Sequence, residues 1–177
     1  DDILFAAAEV LRNNGYESTT MKDIAAKVNL TAASLYHHFK NKDYLVLAVL
    51  ERGLSFAIEQ IEPIVHSQQT NHEKLRQMIA VHVVNVTENM AFGAAMIFEI
   101  RSLLSPSNTN GIDEDEANEF IERRNLFFGV RDYFESLFRQ VVVDGIESGE
   151  FREVDVRIFT KAMLGAHNWV ALWYNPA

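Results

Sequence analysis

Two hydroxyl side chains, Thr20 and Thr31, each stand where a helix can begin, and too few residues separate them for anything longer than two helical turns. Thr20-Met21-Lys22-Asp23 has the form of a capping box, in which hydroxyl and carboxylate satisfy each other's exposed backbone donors. Behind it Met21, Ile24, Ala25 and Val28 make one apolar stripe at helical spacing. Asn29-Leu30 interrupts the stripe, Thr31 caps a new start, and Leu35 with Phe39 marks a second inward face. Two short helices joined by so short a turn make a helix-turn-helix, which needs a further helix to cover its apolar side.

That helix precedes it. Leu4, Ala8 and Leu11 follow helical spacing, and Asn13-Asn14-Gly15 predicts a stop near Asn14. After the pair, Asn41 caps a fourth helix that begins at Lys42 and stays periodic through Leu45, Val49, Phe56 and Ile61, with a break predicted at Pro63. Further helices are predicted at about 72–90, 92–104, 116–148 and 154–174, and the turn formers of 105–111 predict a loop. Sustained two-residue alternation is missing, and Val141-Val142-Val143 is too short for a strand. The predicted fold is all-α: an N-terminal three-helix module with a helix-turn-helix in residues 1–45, and a helical body in residues 46–177.

The chain has 177 residues and no cysteine, which excludes thiolate metal sites, disulfides and cysteine nucleophiles. No uncharged apolar run of about 18 residues or more occurs and no signal peptide precedes the first helix, so a cytoplasmic protein without membrane association is expected. The net charge of −9 argues against a general polyanion binder, but residues 1–50 are nearly neutral and the acidity lies in the remainder. His66, His72, His82 and His167 are scattered, without ligand spacing, so neither metal nor cofactor is expected. Nucleophile elbow, P-loop and dinucleotide fingerprint are all missing, so no enzyme is expected. An enzyme using Glu99 with His82, or a helical adaptor binding only protein, stands as the alternative to DNA binding.

With Leu35 and Phe39 turned inward, Thr31, Ala32, Ala33, Ser34, Tyr36 and His37 are left to meet a duplex. Residues Thr19 to Leu45, TTMKDIAAKVNLTAASLYHHFKNKDYL, resemble the TetR family of repressors in order and spacing. The resemblance implies phosphate contacts from Thr20, Thr31, Tyr36 and Lys42, the kind that hydroxyls and helix N-termini make. Base reading then falls to Ala32, Ala33 and Ser34, with His37 and Lys22 beside them. Asn29 stands where the family often has glycine, and Ala32 where it often has lysine or proline.

The same resemblance implies a homodimer joined through the last two helices. Their apolar surplus exceeds what one layer can bury, and Phe134, Phe138, Val141, Met163, Ala166, Trp169 and Trp173 are the expected interface. Residues 162–176, AMLGAHNWVALWYNP, and 145–155, GIESGEFREVD, resemble TetR-type regulators of fatty-acid and steroid degradation that respond to acyl-coenzyme A. The implied function is repression of a palindromic operator, relieved by a small hydrophobic effector. The expected chamber is lined by Met78, His82, Phe92, Met96, Glu99 and Phe128. A thioester would further need a basic rim drawn from Arg101, Arg123, Arg124 or Arg131 to meet its phosphates.

Overall fold

The structure, a computed structural model, describes residues 2–88, 95 and 114–174. Those residues form seven helices and no strand: α1 Asp2–Ser18, α2 Met21–Lys27, α3 Ala32–Tyr36, α4 Lys42–Val65, α5 Asn71–Glu88, α6 Glu114–Glu147 and α7 Val156–Trp173. The helix expected at 92–104 and the loop at 105–111 lie outside the described residues. The chain divides into two compact units, 1–53 with 91–128 and 54–90 with 129–177, so α4 and α6 each contribute to both.

In the first unit, α4 is the central element. Tyr44 through Leu50 are all buried, so this stretch shows no face to solvent, and Ala7 and Leu11 of α1, Ile24 of α2 and Leu35 of α3 are buried as well. α1 is interrupted where the Asn-Asn-Gly run predicted a stop: Gly15 adopts φ +72, ψ 168, and one further turn carries the helix to Ser18. The N-terminal part of α6 is pinned to α4. Arg123 donates to both carboxylate oxygens of Glu51 at 2.9 and 2.5 Å, and the Phe120 ring meets Tyr44 edge-on at 5.1 Å. Lys40 Nζ donates to Glu119 at 2.6 Å.

In the second unit α5 packs against α7. Thr70 and Glu73 form a reciprocal cap at the start of α5, with bonds of 3.1 and 3.3 Å, and Asp155 caps α7 by accepting from the Ile158 N–H at 3.0 Å. The segment between α6 and α7 is a tight reversal with a close-fitting glycine. Phe151 N donates to the Gly145 carbonyl at 2.8 Å, and its ring lies where a Cβ on Gly145 would come within 2.1 Å of Phe151 Cδ2. Gly149 takes φ +76. Glu150 then accepts from Asn71 Nδ2 at 2.9 Å and from His72 N at 3.0 Å, tying this reversal to the start of α5.

Pro63 does not end α4. It falls in the last turn, where its missing N–H forfeits one bond, and the helix continues to Val65 before the His66 N–H closes on the Glu62 carbonyl at 3.3 Å. Among the described residues, no helix is long and apolar enough to cross a membrane.

Candidate nucleic-acid interface and buried polar cluster

α2 and α3 are built as their caps require. Thr20 accepts from Asp23 N at 3.3 Å and donates its own N–H to Asp23 Oδ2 at 2.9 Å; the bonds from Thr20, the side-chain one first, hold the Asp23 carboxyl below its ordinary value. Asn29 takes the left-handed conformation, φ 55, and the Leu30 N–H closes the turn on the Ala25 carbonyl at 2.9 Å. Thr31 accepts from Ser34 N at 3.1 Å and its hydroxyl lies 2.9 Å from that of Ser34. Fully buried Leu35 fixes the rotation of α3. That rotation leaves Thr31, Ala33 and His37 exposed, Tyr36 54% exposed, and Ala32 and Ser34 half-exposed, while Thr20 and Lys22 are exposed on α2. Phe39, expected to pack beside Leu35, lies beyond the end of α3 and is half-exposed.

Lys42 has a structural task that its sequence position did not reveal. Its Nζ donates to the Tyr16 carbonyl at 2.7 Å and the Thr19 carbonyl at 3.0 Å, and sits 4.0 Å from the centroid of the Tyr16 ring. It thus gathers two carbonyls at the end of α1 and binds them to the start of α4, while Tyr16 OH donates to Asp43. An ammonium has three donors, so a phosphate contact would fall to the third. Tyr16, whose place beside Lys42 depends on chain reversal, carried no sequence signal for this role.

The second unit holds a buried polar cluster. His82 on α5 is buried, with its Nε2 3.1 Å from Asn168 Oδ1 on α7 and its ring 5.8 Å from that of His167. Phe134 and Phe138 of α6 lie 5.6 and 6.0 Å from the His82 ring. Burial, reinforced by His167, lowers the His82 pKa to about 4, against the opposing pull of the Asn168 bond; burial lowers that of His167 too. Both imidazoles are therefore neutral at pH 7. Among the described residues no group of acidic and histidine side chains is arranged to hold a metal ion.

The expected interface and chamber residues fall in different settings. Phe134, Phe138 and Val141 are buried within the single chain. Met163 is half-exposed and Ala166 exposed, while Trp169 and Trp173 are 64% and 65% exposed. With Ile158, Ala162 and Gly165 they form an exposed apolar stripe along one face of α7. Of the chamber residues, Met78 and His82 are buried on α5, and half-exposed Phe128 packs on Phe127 in the first unit, rings 5.4 Å apart. Phe92, Met96 and Glu99 lie outside the described residues. For the basic rim, Arg123 is committed to Glu51, Arg131 donates to Asp132 at 3.2 Å, and Arg101 lies outside the described residues. Asn85 carries no signal in the sequence, because an amide in a helix reads as surface until a neighbouring helix covers it, and Asn168 enters only as part of the 162–176 stretch.

The family described as "Tetracyclin repressor-like, C-terminal domain" matches residues 68–177, and "Bacterial regulatory proteins, tetR family" matches residues 3–49. The chain belongs to the TetR family. It is thus a DNA-binding transcription regulator, with the family's N-terminal helix-turn-helix and C-terminal helical body. Among its relatives, the TetR regulator PfmR from Thermus thermophilus superimposes with a TM-score of 0.82 at 31% identity, covering 99% of this chain and 87% of that one. The transcriptional repressor KstR2 of Mycolicibacterium smegmatis is 24% identical, over 99% of this chain and 79% of its own length. AibR, solved in complex with isovaleryl coenzyme A and operator DNA, superimposes with a TM-score of 0.77 at 25% identity, covering 98% and 86%.

Proposed function

We propose that the chain is a repressor that binds a palindromic operator as a homodimer and releases it when a small hydrophobic effector, an acyl-coenzyme A thioester in the leading case, occupies its C-terminal body. Residues 1–45 read DNA in this account, and residues 46–177 dimerise and bind the effector. The observation that carries it is the outward face of α2 and α3: capped N-termini, free-standing Tyr36, and small side chains at Ala32, Ala33 and Ser34 held outward by buried Leu35. Helix N-termini and hydroxyls suit phosphates, and small side chains allow close approach to base edges. The exposed stripe of α7, small at Gly165 and Ala166 and aromatic at Trp169 and Trp173, suits a self-complementary helix contact.

Two likenesses support the effector class. AibR was solved with isovaleryl coenzyme A and operator DNA, and a relative from Bacillus subtilis, 24% identical over 92% of this chain, carries the name fatty acid metabolism regulator protein. The test is an operator selection on the purified chain, followed by release of the selected DNA. Titrants are an acyl-coenzyme A series, the matching free acids and unrelated lipophilic compounds. Failure to select any DNA sinks the repressor reading; release by neutral lipophiles alone removes the thioester and leaves a hydrophobic sensor.

A further inference from the structure

The polar cluster of the second unit is unusual in what it lacks. Asn85 sits one turn beyond His82 on α5, and its Nδ2 is buried without a hydrogen-bond partner among the described residues; so is His167 Nδ1 on α7. Buried polar atoms are nearly always paired, and each exception calls for a physical reason. With Asn168 Oδ1 as acceptor, the His82 proton sits on Nε2, so that imidazole holds Asn168 in place and is not itself the open donor. Asn85 and His167 are left with one open position each, on two helices, α5 and α7, that pack against each other.

The charge pattern narrows what can satisfy them. Among the described residues neither imidazole is paired with a carboxylate or a cation: His82 meets the Asn168 amide and the His167 ring. Glu135 of α6, which could have supplied a charge, is spent on Arg139 at 2.6 Å and Lys161 at 2.9 Å. An ionised carboxylate placed on such a band would lose its water and gain no counter-ion. A carbonyl oxygen gives up less hydration, and its two lone pairs can accept from Asn85 Nδ2 and from a His167 Nδ1–H.

We propose that Asn85 and His167 anchor the carbonyl oxygen of an uncharged acyl compound, a thioester, ester or ketone, and that the band discriminates against the matching free acid. This rests on the effector reading above and specifies which group of the effector the body recognises. His82 acts as a positioning residue: it touches Asn168 and His167 and sets their side chains.

The experiment uses the full chain with octanoyl- and palmitoyl-coenzyme A, methyl octanoate and methyl palmitate, and octanoate and palmitate, with binding read by calorimetry at pH 8. Thioesters and esters are expected to bind at least tenfold more tightly than the acids. Asn85→Leu is expected to lose tenfold or more in ester affinity while the Tm of the unliganded protein holds or rises, because an unpartnered donor has been removed. A merely structural Asn85 would leave ester affinity unchanged. His167→Phe, tested separately, keeps the result readable if one variant folds poorly. Equal binding of acids and esters, wild-type affinity in both variants, or binding of none of the six compounds overturns the proposal. Operator affinity, measured by anisotropy on the same samples, separates these failures: intact operator binding leaves the regulator standing, and its loss sinks that reading instead.

Discussion

Lys42 and Tyr36 both follow from the DNA-binding reading, yet the structure gives them different consequences. Tyr36 is exposed and its hydroxyl is not needed by the fold, so Tyr36→Phe should weaken specific and nonspecific DNA binding several-fold with Tm unchanged. Lys42 also holds two carbonyls of the α1 terminus, so Lys42→Ala should lower Tm and reduce the slope of log affinity against log salt by about one unit. A lower Tm with an unchanged slope would confine Lys42 to its capping role. His82 gives a pH prediction. Its folded pKa, about 4, lies below its ordinary 6.5, so the unfolded chain takes up the proton first as pH falls. Its stability contribution is therefore complete above about pH 6.5 and lost progressively toward pH 4, reaching about 3 kcal/mol. Urea unfolding from pH 7 to 4 should show a steeper fall for wild type than for His82→Gln; parallel curves would contradict a buried neutral imidazole.

The elements carry two further consequences. The reversal from α6 to α7 depends on Gly145, where the Phe151 ring occupies the space of a side chain. Gly145→Ala should cost about 1–3 kcal/mol in urea unfolding through this overlap. Adding Phe151→Ala should recover part of the loss, so that the two changes are less than additive; strict additivity would show that the ring is not the obstacle. On α7, Trp169→Glu with Trp173→Glu places two charges on the exposed stripe. Sedimentation should shift from dimer to monomer with helical content retained, and a persistent dimer would move the interface elsewhere. The buried aromatics of α6 bear on the same point. Phe134 and Phe138 looked like interface residues because an apolar surplus in a sequence does not say whether its partner helix belongs to the same chain; here α5 brings His82 to them.

For the whole molecule, charge and symmetry act together. Residues 1–50 carry almost no net charge and the rest of the chain carries nearly all of the −9, so a duplex is repelled by the body and tolerated by the module. DNA binding should therefore be strongly salt-dependent and confined to α2 and α3. A two-fold dimer presenting two such modules should protect half-sites about one helical turn, or a multiple of it, apart. Hydroxyl-radical footprinting reads this directly, and a protected region without a dyad would contradict the homodimer.

Local chemistry was legible in the sequence by itself. Caps at Thr20 and Thr31 and the outward face of α3 depend on residues within a few positions of one another and are present as read, whereas α1, read as stopping near Asn14, only kinks at Gly15 and runs on to Ser18. Pro63 was misjudged even locally, since a proline in a last turn removes a single bond and leaves the rest of the helix intact. Tertiary structure alone decided where long-range polar groups go: Lys42 to the end of α1, Arg123 to Glu51, and His82 to Asn168. The reason is physical. A helix side chain's neighbours within three or four residues are fixed by the backbone, whereas a partner on another helix is set by packing angle and rotation. Those two quantities separated the tryptophans left on the surface of α7 from the phenylalanines enclosed around His82.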